Sequence, residues 1–228
     1  MTTASASRIK RVALIVPSSN TVMENDLHAG LPKSRFTVHT DRMYLVETTR
    51  EAELRMIKEF APQAAADLGT LNPDLLVFGC TSAGSLFGLD GDRTVCARLS
   101  EATGCPTIGV INAVEKALAR VKARRLAVLT PYNEDLTQSV ADAVADGREI
   151  VGAFGLGITD NVALADPTPD EILAFAQKQL KGLSFDCILI SCTNFRALEA
   201  LPALEAAFRV PVVTSNSAVI DEVKAVLA

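Results

Sequence analysis

Short apolar runs alternate along the whole chain with longer amphipathic stretches. The runs fall at Arg11–Val16, Thr37–Leu45, Leu75–Phe78, Thr107–Val110, Leu126–Leu129, Ile150–Phe154, Cys187–Ile190 and Val210–Val213. The runs are short and β-rich, as strands are. Between them Arg50–Leu68, Ala113–Lys122, Glu134–Ala145, Pro169–Leu180, Arg196–Phe208 and Ser217–Leu227 have helical composition and spacing. This alternation predicts an α/β fold with mostly parallel strands, because parallel neighbours need a long crossover and a helix supplies it. Pro106 and Pro211 sit where strands begin.

The pattern also repeats. Arg11-Val-Ala-Leu-Ile-Val-Pro17 resembles Arg125-Leu-Ala-Val-Leu-Thr-Pro131, the run through Cys80-Thr81 resembles the run through Cys192-Thr193, and Cys105-Pro-Thr-Ile resembles Val210-Pro-Val-Val. Three matches in the same order predict two similar doubly wound halves related by a pseudo-twofold axis. The first half, residues 1–116, carries Cys80, and the second, residues 117–228, carries Cys192. In open parallel sheets ligands bind beyond the carboxyl ends of the strands, where both Cys-Thr pairs lie. Halves packed face to face would put one thiol on each wall of a shared cleft.

Composition narrows the function classes. A hydrophobic fraction of 49% over 228 residues is enough for a large core, and a net charge of −5 without clustered Lys or Arg speaks against nucleic acid. The longest uncharged stretch, Leu75–Leu89, is broken by Gly and Ser and falls short of the roughly 18 apolar residues of a membrane span. Residues 1–11 are small, polar and then basic, unlike a secretory signal, so a cytoplasmic location is expected. The five cysteines show no CxxC or zinc spacing and are expected to be free thiols. Gly152, Gly155 and Gly157 suggest a glycine-rich loop, but Asp160 stands where a dinucleotide fingerprint needs its third glycine. No cofactor is expected.

The candidate chemistry therefore rests on the strand ends. Small polar residues after Cys80 and Cys192 expose backbone N–H groups that suit an anion and would lower a thiol pKa from a helix N-terminus. Pro17-Ser18-Ser19-Asn20 and Pro131-Tyr132-Asn133 end the two equivalent first strands. They offer neutral donors for carboxylate oxygens, though Ser18, Asn20 and Asn133 also read as helix caps. Cys96, Cys105, Cys187, His28 and His39 lack such settings and read as structural. Asp166 to Glu171 reads as a helix start whose acidic residues favour the helix dipole.

Val16-Pro-Ser-Ser-Asn-Thr21 with Met23-Glu24, Gly79-Cys-Thr-Ser-Ala-Gly84 and Ser191-Cys-Thr-Asn194 together resemble the maleate cis-trans isomerase family of the aspartate/glutamate racemase superfamily. The likeness covers nearly the whole chain. It implies a cofactor-free, usually dimeric enzyme acting on a small dicarboxylate. Cys80 would be the nucleophile and Cys192 the second catalytic thiol. Asn20, Thr81, Ser82, Tyr132, Asn161, Val162, Thr193 and Asn194 would bind substrate. Related arylmalonate decarboxylases keep only the second cysteine. Amino acid or hydantoin racemases keep both, so a racemase is the alternative, and a non-catalytic carboxylate-binding protein a second.

Overall fold

The structure, a computed structural model, describes residues 8–228; the first seven residues of the N-terminal segment considered above lie outside them. Eight strands form two four-stranded sheets. The first contains β1 (Lys10–Pro17), β2 (Phe36–Met43), β3 (Leu75–Phe78) and β4 (Thr107–Gly109) in the order β2-β1-β3-β4. The second contains β5 (Arg125–Thr130), β6 (Glu149–Gly155), β7 (Cys187–Ile190) and β8 (Val212–Thr214) in the order β6-β5-β7-β8. Every pairing is parallel, and the two orders are the same once the second sheet is renumbered. The internal repeat is thus a repeat of topology.

Among the described residues ten α-helices connect or follow the strands: α1 (Met23–Gly30), α2 (Arg50–Arg55), α3 (Ala61–Gly69), α4 (Thr81–Ser85), α5 (Gly88–Thr103), α6 (Val110–Arg120), α7 (Glu134–Ala143), α8 (Pro169–Gln179), α9 (Ala197–Phe208) and α10 (Ser215–Val226). The stretch read as one helix over Arg50–Leu68 is α2 and α3 joined by a π-helical segment, Met56–Phe60. Pro62, which has no N–H to offer a regular helix, is the second residue after that segment. Thr168 caps α8 in a reciprocal capping box with Glu171, so the acidic start of that helix is used as a cap.

Three helices differ from the sequence reading. α1, α4 and α5 occupy segments whose Gly, Ser, Asn and Asp content hides a helical period. In α5 the buried positions are Asp92, Val95, Cys96, Leu99 and Thr103, which is helical spacing with a carboxylate and a threonine in the stripe. Val110, read as the end of a strand, is the first residue of α6.

β1 shows why the strands look apolar throughout. Val12, Leu14 and Val16 face a core shared with the second half, while Ala13 and Ile15 face a separate cluster formed with α3, α5 and Cys80. Both faces of the sheet are therefore covered. α6 packs on α10, and α1 on α10, so helices of one half pack on a helix of the other. Lys116 adds an ion pair to the buried Glu222 across the same contact. No helix among the described residues is long and apolar enough to cross a membrane.

Candidate active site

The carboxyl ends of β1, β3, β5 and β7 converge where the halves meet. β3 is followed by Gly79 and then by Cys80, which has extended backbone geometry and sits at the N-cap of α4. β7 is followed by Ser191 and Cys192. Both thiols are free and almost wholly buried, 2% and 3% exposed. Asn20, Thr81, Ser82, Tyr132, Asn161, Thr193 and Asn194 are buried as well. Val162 stands apart: it is 52% exposed, with its N–H held by the Asp160 carboxylate.

Hydrogen bonds tie these groups across the two halves. The Asn20 side-chain amide donates to Thr193 Oγ1 at 3.2 Å, and Thr193 Oγ1 donates to the Gly79 carbonyl at 3.1 Å. Asn194 accepts from the Thr21 N–H at 2.8 Å, and its Nδ2 donates to the Asn161 carbonyl. Asn161 Nδ2 in turn donates to Ser19 Oγ at 2.6 Å. The cap reading of Asn20 and the site reading are both met by one side chain: Oδ1 accepts from the N–H groups of Val22 and Met23 at the start of α1, while Nδ2 faces the other half. Asn133 is an ordinary cap, accepting from the Leu136 N–H.

A seam beside the site links the two halves. The Thr48 N–H and hydroxyl both donate to the Thr159 carbonyl, the Asn161 N–H donates to the Val46 carbonyl, and Glu47 pairs with Asp160 in an antiparallel bridge. The first half and the second are joined there mainly by backbone groups, with the Thr48 hydroxyl as a side-chain donor. The Tyr132 turn rests on the segment that follows β6: the Gly157 N–H donates to the Tyr132 carbonyl at 2.8 Å and the Ile158 N–H to the Pro131 carbonyl at 3.0 Å.

The electrostatics reverse one expectation. Instead of lowering the thiol pKa, the site raises it: burial drives Cys80 far above its ordinary value, the Glu53 carboxylate adds to the rise, and the Ala83 N–H and Ser82 hydroxyl oppose it only weakly. Burial likewise pushes Cys192 up to about 12, against the stabilising Tyr132 hydroxyl and the Asn194 N–H. The latter lies 3.2 Å from the sulfur. Strand-end amides are present, but depth outweighs them.

Glu53 was not among the residues singled out from sequence. It is fully buried on α2, and neither of its carboxyl oxygens has a hydrogen-bond partner. Burial raises its pKa to about 7, opposed by the Ser82 hydroxyl, which is near but not placed to form a hydrogen bond, and then by Arg50. One signal was available: counting three residues back from the buried Met56 lands on Glu53, a charge on an apolar stripe. The shift has a consequence for stability. An unfolded glutamate releases its proton near 4.5, and folded Glu53 near 7. Between those values the folded chain binds the proton more tightly, so stability is full below 4.5 and falls as pH rises to 7, by about 3 kcal/mol. Chemical denaturation of wild type and Glu53→Gln at both ends of this window should show the variant gaining that amount relative to wild type at the upper end. An equal slope in the two proteins would assign the loss to other groups.

Among the described residues no group of three or more His, Cys, Asp or Glu side chains is placed to hold a metal ion. What the arrangement offers is a pair of thiols from equivalent strand ends, enclosed by neutral amide and hydroxyl donors.

A duplicated parallel α/β fold with a thiol from each half at the common carboxyl edge defines a protein of the aspartate/glutamate racemase superfamily. Within it, the chain belongs to the arylmalonate decarboxylase family, which matches residues 12–227. It is 31% identical over 222 residues to a maleate isomerase of Pseudomonas putida, covering 92% of this chain and 88% of that protein. Among solved structures, the maleate isomerase Iso of Pseudomonas putida S16 superposes with a TM-score of 0.90 at 28% identity, covering 96% of this chain and 93% of that one. A variant of Iso solved with maleate gives a TM-score of 0.86 at 28% identity over 92% of this chain and 89% of that one.

Proposed function

We propose that this protein converts maleate to fumarate, with Cys80 as nucleophile and Cys192 as proton carrier. The observation that carries this reading is the pair of buried thiols presented from equivalent strand ends among uncharged donors. Similarity to maleate isomerases over most of the chain supports it.

Maleate cannot rotate about its double bond until the order of that bond falls. Cys80, a thiol in the closed free site, first releases its proton to solvent; the thiolate then adds to one alkene carbon, forming a C–S bond, and the π electrons move to the second carbon and its carboxylate. Cys192 gives its proton to that carbon, leaving a succinyl thioether on Cys80 and a thiolate on Cys192. The C–C bond is now single and rotates. Cys192 takes a proton back, the electrons re-form the double bond, the C–S bond breaks, and fumarate leaves.

Charge on the far carboxylate peaks in the addition and elimination steps. Asn20, Asn161, Asn194, Thr193 and the Thr81-Ser82 turn serve as its donors, worth most in a site that excludes water. The Tyr132 hydroxyl beside Cys192 steadies the thiolate formed there.

Proton NMR of the protein with maleate in deuterated buffer tests the reading directly: the vinylic signal of maleate should give way to that of fumarate without added cofactor. Exchange of an α-proton in an amino acid or hydantoin, with maleate untouched, would place the protein with the racemases instead.

A further inference from the structure

The site holds a group that the isomerisation scheme leaves idle. Glu53 lies fully buried at the junction of the halves, close enough to perturb Cys80, Tyr132 and Cys192, and both its oxygens lack partners. Burying an unpaired carboxylate is expensive, and a structural role would normally come with donors to satisfy it. The groups acting on it can be named element by element. From α2 itself comes Arg50, which is exposed, with its guanidinium 5.4 Å from the centre of the Phe87 ring. The next segment carries Lys58 and Glu59 on its exposed side, and Glu59 is paired with Arg55. α4 presents Ser82 and no charge, β3 leads to the Cys80 thiol, β5 to Tyr132, and β7 to Cys192. No Lys, Arg or His side chain among the described residues is fully buried.

A dicarboxylate enclosed here would bring two negative charges to a place without a buried cation and with a carboxyl group already in it. An ionised Glu53 would repel it; a protonated one would supply a donor aimed at its oxygens. We propose that Glu53 belongs to the substrate site as an un-ionised acid, donating its O–H to a substrate carboxylate, and that the proton is taken up with the ligand whenever the free site lacks it. This rests on the carboxylate reading of the site and names the residue that sets its charge requirement. No bond other than the hydrogen bond is formed, and the proton comes from solvent.

The linkage has a definite sign. Free Glu53 loses its proton near pH 7, and a bound anion raises that value further. Below pH 7 binding is indifferent to pH. Above it each unit weakens binding about tenfold, because one proton must be found for each ligand bound.

Succinate, saturated and so unable to react with a thiolate, is the probe. Calorimetric titration in two buffers of different ionisation enthalpy, at about pH 6 and about pH 8.5, counts the protons taken up. Wild type should take up close to one proton per succinate at the higher pH and almost none at the lower, with Kd rising more than tenfold between them. Glu53→Gln keeps a neutral donor, so it should bind with the same Kd at both pH values and take up no proton. Glu53→Asp, should the amide variant not fold, should keep the uptake. Uptake that persists unchanged in Glu53→Gln, or a wild-type Kd that is flat with pH, overturns the inference while leaving dicarboxylate binding intact. Acetate binding with Glu53-dependent uptake, where succinate does not bind, upholds the inference and removes the dicarboxylate reading. Binding of neither at any pH removes both.

Discussion

Cys80→Ala leaves no measurable conversion of maleate, and Cys80→Ser almost none. The side chain being replaced makes the covalent bond in the proposed cycle, so no neighbouring group substitutes for it. Serine fails for a related reason: burial already pushes the thiol far up, and a hydroxyl, with a higher intrinsic pKa, forms its anion far less readily in the same place. A loss of about 10³-fold or more, roughly 4 kcal/mol in the barrier, is expected for either variant. The fold should tolerate the change, since Cys80 makes no capping hydrogen bond to α4 and only one buried sulfur is removed, which circular dichroism of the variant checks. Cys192→Ser should retain some turnover, because a hydroxyl of similar size can still relay a proton. The measurement is the rate of fumarate formation by NMR. Near-wild-type rates in Cys80→Ala would remove covalent addition from the mechanism.

Gly155→Ala is expected to cost about 3 kcal/mol of stability and most of the activity. A methyl group built on Gly155 would lie 2.2 Å from the Tyr132 carbonyl oxygen and 2.5 Å from Thr137 Oγ1. Neither can retreat cheaply. The first is main chain in the turn that carries Tyr132, and Thr137 Oγ1 is held by Thr130 Oγ1 and the Asn133 carbonyl, each at 2.7 Å. The turn must move, taking the Tyr132 hydroxyl away from Cys192. Overpacking against backbone of this kind falls at the top of the usual range for inserting a methyl group, and the melting temperature should fall by roughly 10 °C. Gly152→Ala is the control: its methyl group meets the outer edge of the Phe154 ring, which can swing aside, so both effects should be much smaller. Equal effects in the two variants would show that Gly155 has no particular relation to the Tyr132 turn.

That glycine illustrates what the sequence could and could not convey. Gly152, Gly155 and Gly157 read as a loop motif lacking a nucleotide fingerprint, and the close approach of Tyr132 to Gly155 is invisible without the fold. The strands were legible because parallel sheets covered on both faces produce apolar runs such as Leu75–Phe78. The duplicated order was legible because Pro17 and Pro131, and Cys80 and Cys192, end equivalent strands. α5 was not, because its buried stripe begins with Asp92 and ends with Thr103. The residues around the thiols were found through strand ends and motif, and all but Val162 are buried with them. Glu53 was missed for a physical reason: residue type argues that a glutamate is exposed, and only packing shows that this one is not. The direction of the thiol pKa shift failed likewise, since depth below the surface is not written in local sequence.

The seam between Val46–Thr48 and Thr159–Asn161 has a kinetic meaning. It joins the halves next to Asn161, and the thiols lie out of reach of solvent, so in the proposed cycle a ligand entering at this edge has to part it. Its chain segments offer few apolar contacts to hold it shut, and a handful of hydrogen bonds with water as their competitor is a small barrier. Under the proposed function each turnover would then include parting and resealing, and release of product would set its ceiling, with the carbon–sulfur chemistry running ahead of it.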